Sequence, residues 1–186
     1  LVEEETAEDI NILKKIRIEK FEELKAAGKN PYEITKFDVT SLNKEIIANY
    51  EKREAEIIAA ANGDEEVIKA ELEKIKEENI TLAGRIMSWR DMGKANFIDV
   101  RDSSNRMQVY VRMNDIGEEQ FAEFKKWDIG DIVGIEGFVF RTRRGEISVH
   151  ARSIKLLSKS LLPLPEKWHG LKDTEARYRK RYVDLI

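Results

Sequence analysis

Asn96-Phe97-Ile98-Asp99-Val100-Arg101 and, after a four-residue break, Arg106-Met107-Gln108-Val109-Tyr110-Val111-Arg112 decide the fold of this chain. Successive side chains of a β-strand point to opposite faces. Ile98 and Val100 in the first run, and Met107, Val109 and Val111 in the second, then share an apolar face and belong to a core. Phe97, Asp99 and Arg101 face outward, together with Arg106, Gln108, Tyr110 and Arg112. Asp102-Ser103-Ser104-Asn105 between the runs is turn chemistry, so the two strands form a hairpin. An outward face of rings, an amide and arginines suits a surface that stacks on and reads unpaired bases. The competing reading of Phe97 is a ring packed under a neighbouring loop, since single apolar residues are common at surfaces.

The alternating pattern extends in both directions from this hairpin. A long strand is expected over about residues 80–90, with Gly84 marking a bend or bulge, and Asp91-Met92-Gly93-Lys94 turns it into the hairpin. Residues 118–127 read as a short helix with Phe121, Phe124 and Trp127 on its apolar side. Strands over 131–140 and 146–157 follow, joined at Thr142-Arg143-Arg144-Gly145. Three strands, a helix and two strands is the order of an OB-fold barrel. The expected fold is therefore α+β: N-terminal helices followed by a five-stranded OB-fold β-barrel with a helix between strands 3 and 4. In such barrels the face of strands 2 and 3 holds single-stranded nucleic acid, which puts Phe97 and Gln108 on the binding face. Trp89 and Trp127 are expected in the core, and His150 is read as a satisfied strand histidine with no further role.

Before the barrel the periodicity is helical. Residues 7–27 form a first helix stopped by Gly28 and Asn30-Pro31. Its Lys14, Lys15, Arg17, Lys20 and Lys25 are either a solvated face paired with Glu19, Glu22 and Glu23 or a stripe that also touches a nucleic-acid backbone. Thr40 or Ser41 can cap a second helix to about residue 61, and Asp64 a third through residue 78. This hairpin has too few large apolar residues to stand alone and carries no catalytic or ligand chemistry. After the barrel, Pro163 and Pro165 favour an extended linker. Residues 175–186 look helical and basic, with apolar positions that nothing else in the sequence covers, and the chain starts at Leu1 rather than Met. We therefore expect a fragment whose next domain follows Ile186.

Among the 186 residues there is no cysteine and only two histidines, so neither a disulfide framework nor a Cys/His zinc site is expected. No apolar run is long enough for a membrane span and no signal pattern opens the chain, which points to the cytoplasm. Charge is unevenly shared: residues 1–79 hold 13 Lys/Arg and 21 Asp/Glu, residues 80–186 hold 20 and 15. A basic half with outward aromatics suits a polyanionic partner, and an acidic half suits solvated helices.

Several stretches together resemble the N-terminal part of the class II lysyl-tRNA synthetases. They are Met92-Gly93-Lys94-Ala95 with Phe97, Lys125-Lys126-Trp127-Asp128-Ile129-Gly130-Asp131, Gly145-Glu146-Ile147-Ser148, and Pro163-Leu164-Pro165-Glu166-Lys167-Trp168-His169-Gly170-Leu171 running on through Arg177-Tyr178-Arg179 and Arg181-Tyr182-Val183-Asp184-Leu185. The resemblance is dense over residues 80–186 and loose over the first helix, while residues 38–79 form a longer hairpin than the family leads one to expect. It divides the chain into residues 1–79 (helix plus helical hairpin insertion), 80–158 (OB-fold anticodon-binding domain) and 159–186 (linker and start of a class II catalytic domain).

The family implies a lysine–tRNA ligase that joins lysine to its tRNA with ATP and Mg²⁺, acts as a homodimer and works in the cytoplasm. These residues alone imply no catalytic, cofactor or metal site and should be inactive. Their task in the family is to bind the uridine-rich anticodon loop of lysine tRNA. Carried over position by position, Phe97 stacks on a base, Gln108 offers donor and acceptor to a uridine edge, Glu146 accepts from uracil N3–H, and Arg90 bonds a base carbonyl or stacks. Arg101, Arg112, Arg141, Arg143 and Arg144 are candidates for phosphate contact. The alternative, from the barrel alone, is a sequence-tolerant single-strand binder.

Overall fold

The computed structural model describes residues 7–164 and 178–179. Five strands form the body: β1 (Ile80–Asp91), β2 (Ala95–Arg101), β3 (Arg106–Arg112), β4 (Ile132–Arg141) and β5 (Ile147–Ser158). They close into a barrel in the order β1-β2-β3-β5-β4. Neighbours pair antiparallel except β3 and β5, which run parallel with Gln108 opposite Ser148 and Tyr110 opposite His150. Alternation produces the core: Ile86, Val100, Val109, Val111, Val133 and Val149 are wholly buried on the inner face. Closure removes the exposed strand edges that an open sheet would leave.

The helix expected over 118–127 is α5 (Glu118–Phe124), three residues shorter, and a further short helix, α4 (Met113–Ile116), precedes it. The break falls at Gly117, whose φ of 88° lies in the region only glycine enters cheaply. α5 closes one end of the barrel. Phe124 is fully buried and stacks on Trp89 at 4.2 Å between centroids; Trp127 is buried beside it as expected, whereas Trp89, also expected in the core, is only partly buried against it. Gly84 is not the bulge. The register of β1 shifts between Ile86 and Ser88, whereas a Cβ at Gly84 would stand 2.6 Å from the Arg101 carbonyl oxygen. Glycine is needed there for close strand approach.

The N-terminal segment wraps the barrel. α1 (Ala7–Ala26) docks by two of its cations rather than presenting them to solvent. Arg17 donates to the carbonyl oxygens of Ser160 (3.0 Å), Leu162 (3.1 Å) and Ile129 (3.1 Å), and Lys20 pairs with Asp128 at 2.7 Å. Asp128 and the fully buried Asp131 also hold Lys159, whose side chain is 1% exposed. A buried ammonium survives because two carboxylates replace its water.

α2 (Asn43–Ala60) and α3 (Glu65–Ile75) form the helical hairpin. Asp64 caps α3 as expected, accepting from the amides of Glu66 and Val67. The cap of α2 differs from the expected Thr40 or Ser41. Asp102 accepts from the Asn43 amide (2.7 Å) and Ser104 from the Lys44 amide (3.0 Å), so the β2–β3 turn satisfies this helix end from outside the local sequence. Asn43 itself is buried and donates to the Val100 and Asn105 carbonyls. Ile46, Tyr50 and Ile75 join the barrel's apolar cluster, which is the support the hairpin needed. The expected basic helix over residues 175–186 lies outside the described residues, apart from Tyr178 and Arg179.

Candidate nucleic-acid interface

Cross-strand register assembles the outward face. Arg90 sits opposite Phe97, Phe97 opposite Tyr110, Tyr110 opposite His150 and His150 opposite Phe138. These side chains lie on one side of four neighbouring pairs, because pleat phase is preserved across a ladder. One step along, Ser88, Asp99, Gln108, Ser148 and Phe140 form a parallel row.

Phe97 is half-buried, with its ring 4.9 Å from that of Tyr110 and the Arg90 guanidinium 5.6 Å from its centroid. No loop need bury it; cross-strand rings pack its flank. Arg90 is exposed at the end of β1. Gln108 stands on the outward row, yet only 5% of it is exposed. Its neighbours cover it. Nε2 donates to Glu146 Oε2 at 2.8 Å, and Oε1 accepts from Ser148 Oγ at 2.9 Å. Glu146 also receives Arg106 at 2.8 Å, and its side chain stays 40% exposed. The four residues singled out from the sequence thus lie on one face as two couples, Arg90 with Phe97 and Gln108 with Glu146.

The couples differ chemically. Arg90–Phe97 offers a ring and a cation, which suit the π-face of any base. Gln108–Glu146 offers directional hydrogen bonds. With Ser148 donating to one side of the amide and Glu146 accepting from the other, the amide orientation is set. One Nε2–H and one Oε1 lone pair remain, a donor and an acceptor side by side. Asp99, also on this face, is 7% exposed; it accepts from Ser88 Oγ and lies 3.5 Å from Arg106, but its Oδ1 has no partner. Arg106 therefore bridges two carboxylates, Asp99 and Glu146, and was not singled out beforehand because one outward arginine among many carries no distinguishing local signal.

Among the phosphate candidates, Arg143 and Arg144 are exposed in the β4–β5 turn, and Arg101 and Arg112 are exposed at strand ends. Arg141 has another duty. Its one Nε–H is shared between the two Glu54 carboxylate oxygens (2.9 and 3.1 Å), Nη2 also donates to Glu54, Nη1 donates to the Gly145 carbonyl (2.6 Å), and the guanidinium lies 5.9 Å from the Tyr50 ring centroid. The hydrogen-bonded Glu54 carboxylate raises its pKa further. It fastens α2 to the barrel. His150 is satisfied as expected, 2.8 Å from Asp115 on α4, but it also packs among Tyr110, Phe138 and Phe140. Phe138 and Phe140 went unnoticed in the sequence, although both alternate with the inward Val139.

Among the described residues no group of three His, Cys, Asp or Glu could hold a metal ion, and no helix is long and apolar enough to cross a membrane.

Comparison with known proteins agrees with this geometry. Residues 80–157 match the OB-fold nucleic acid binding domain of the tRNA anti-codon family. Over 179 residues, 96% of its length, the chain is 45% identical to a lysine–tRNA ligase of Clostridium tetani. It is 44% identical over the same length to lysine–tRNA ligases of Clostridium botulinum and Clostridium kluyveri. In each case it spans 31% of the relative. Residues 80–157 are thus similar to the OB-fold nucleic acid binding domains of the tRNA anti-codon family, and the chain along 96% of its length is similar to lysine–tRNA ligases.

Proposed function

We propose that the outward face of this barrel binds the anticodon loop of lysine tRNA, as one part of a class II lysine–tRNA ligase. The observation that carries the reading is the convergence of Arg90, Phe97, Gln108 and Glu146 on one face, with the Gln108 amide held by Ser148 and Glu146. Phe97 takes the plane of a base, and Arg90 adds charge beside it. The remaining donor and acceptor of Gln108 match the O4 and N3–H of uracil, and the open side of the Glu146 carboxylate is a second acceptor for N–H. Each good match rejects a base that presents the wrong pattern, because the buried amide is then left unpaired. Exposed arginines supply the sequence-independent attraction to phosphate.

On this reading residues 80–158 are the anticodon-binding domain, residues 1–79 buttress it and residues 159–186 lead into a catalytic domain. On the same reading, ATP, Mg²⁺ and the joining of lysine to tRNA belong to the remainder of the ligase. The full-length protein would be a cytoplasmic homodimer.

The deciding experiment titrates the chain with a lysine anticodon stem-loop and with the same stem-loop carrying cytidines for uridines, at one fixed salt concentration. Tighter binding of the uridine loop supports anticodon reading. Equal affinities would instead favour a sequence-tolerant single-strand binder, which needs the rings and cations but not the Gln108–Glu146 pair.

A further inference from the structure

The ring surface does not stop at Phe97. Centroids run from Phe97 to Tyr110 (4.9 Å), from Tyr110 to His150 (5.0 Å) and from His150 to Phe138 (4.8 Å), with Phe140 beside them at 5.9 Å from His150. The row crosses β2, β3, β5 and β4, about 14 Å at the usual inter-strand spacing. A single base covers one ring and its neighbour, so most of this platform lies beyond the Arg90–Phe97 couple.

The far end repeats the near end. Arg152 lies 4.9 Å from the Phe138 centroid, as Arg90 lies over Phe97. This is built into the backbone. Between Glu136–Ser153 and Gly137–Ala151 the register shifts, leaving Arg152 as the extra residue of a bulge, and bulges re-aim side chains. A Cβ at Gly137 would stand 2.0 Å from the His150 carbonyl oxygen, so the bulge needs glycine opposite it. Arg152 is then pinned to Lys76 O (2.7 Å) and Asn79 Oδ1 (3.0 Å), at the end of α3. His150 is pinned as well. Its Nε2 lies 2.8 Å from Asp115 Oδ2, which fixes the ring plane and leaves Nδ1 as the nitrogen that Asp115 does not engage. Phe138, Phe140 and His150 all remain half-buried rather than covered. Past Phe140 the surface opens into a groove of about 360 Å³ between α3 and β4, lined by Ile68, Leu72, Phe140 and Arg141.

We propose that Phe138 and His150 form a second stacking subsite, which takes another unpaired base of the same RNA loop whose first base stacks on Phe97. This rests on the reading of the face as an anticodon-binding surface and extends it from β2–β3 to β5–β4. The subsite is continuous with the first through Tyr110, presents rings with a fixed cation, and adds the second ring nitrogen of His150 as a hydrogen-bonding group for a base edge. The α2–α3 hairpin gains a role in consequence: its end at Lys76 holds Arg152 in place.

The test uses the 186-residue chain, its Phe97→Ala and Phe138→Leu variants, and lysine anticodon stem-loops in which each loop nucleotide in turn is abasic. Leucine keeps apolar bulk beside Arg152 and removes the ring. Phe138→Leu should weaken the intact stem-loop about tenfold, as loss of one stacked base does. That loss should vanish at one abasic position, different from the position that cancels Phe97→Ala. If Phe97→Ala weakens binding and Phe138→Leu does not, or if its loss persists with every abasic loop, the second subsite is refuted while the first reading stands. If neither variant weakens binding, the anticodon reading falls too. Should Phe138→Leu fold poorly, 2-aminopurine at each loop position of RNA bound to the unsubstituted chain gives the same decision. Quenching at two or more positions, including one unaffected by Phe97→Ala, supports the subsite, and quenching at one position alone overturns it.

Discussion

Replacing Gln108 by methionine isolates the reading step from the stacking step. The side chains are close in volume, so the 5%-exposed site keeps its packing while both polar atoms disappear. Two hydrogen bonds are lost, from Nε2 to Glu146 and from Ser148 to Oε1. Glu146 keeps Arg106, and the Ser148 hydroxyl can rotate, so the folded state should lose only about 1–2 kcal/mol. For a chain of this size that corresponds to a fall of roughly 2–8 °C in Tm. Binding should change selectively. A base edge matched to the amide contributes about 1–3 kcal/mol of discrimination. The preference for the uridine stem-loop over its cytidine counterpart should therefore shrink about tenfold or more. Affinity for the cytidine loop, which never used the amide well, should stay nearly constant. Isothermal titration of both loops against both proteins, at one salt concentration, measures this directly. An equal loss for the two loops would refute the reasoning, because it would mean that Gln108 supports the face without reading the base.

Other consequences concern the frame that holds this face. Lys159→Met should destabilise the chain by about 3 kcal/mol in urea unfolding, since it strands the buried Asp131 and half-strands Asp128; adding Asp131→Asn should recover part of that loss. Burial pushes the Asp128 carboxyl up, but the bonded ammonium groups of Lys159 and Lys20 outweigh it and hold its pKa below the ordinary value. Its contribution is therefore complete above about pH 4 and is lost as pH falls through the depressed folded value, so Asp128→Asn should flatten stability against pH below about 4. Gly137→Ala should cost at least about 3 kcal/mol by thermal melt, because its Cβ meets backbone at 2.0 Å and a carbonyl cannot rotate away as a side chain would. Binding of the stem-loop should weaken steeply with salt if exposed arginines meet phosphates, while Arg141→Ala should alter stability more than the salt slope, since Arg141 is held by Glu54.

The sequence by itself determined the strands, their inward and outward residues and the order that makes an OB barrel. Each of these is local: alternation along β2 and β3 needs only neighbours in the chain, and the turns at 91–94, 102–105 and 142–145 carry their own signals. The positions of Phe97, Gln108 and Glu146 on the outer face were legible for the same reason. Their partners were not. Gln108 meets Glu146 and Ser148 only because barrel closure sets β3 parallel to β5, a pairing between segments about forty residues apart that no periodicity encodes. That closure also turned an amide expected in solvent into a buried and oriented one. It brought His150 and Phe138 into line with Phe97, so a histidine without apparent purpose became the middle of a ring row. The same holds outside the face: Arg17 bonding carbonyls past residue 128, and Asp102 capping a helix that begins at Asn43, both depend on which surfaces meet after folding. Local alternation chose the side of the sheet for each residue; register between distant strands, which only the closed barrel sets, chose its neighbours and hence its chemistry.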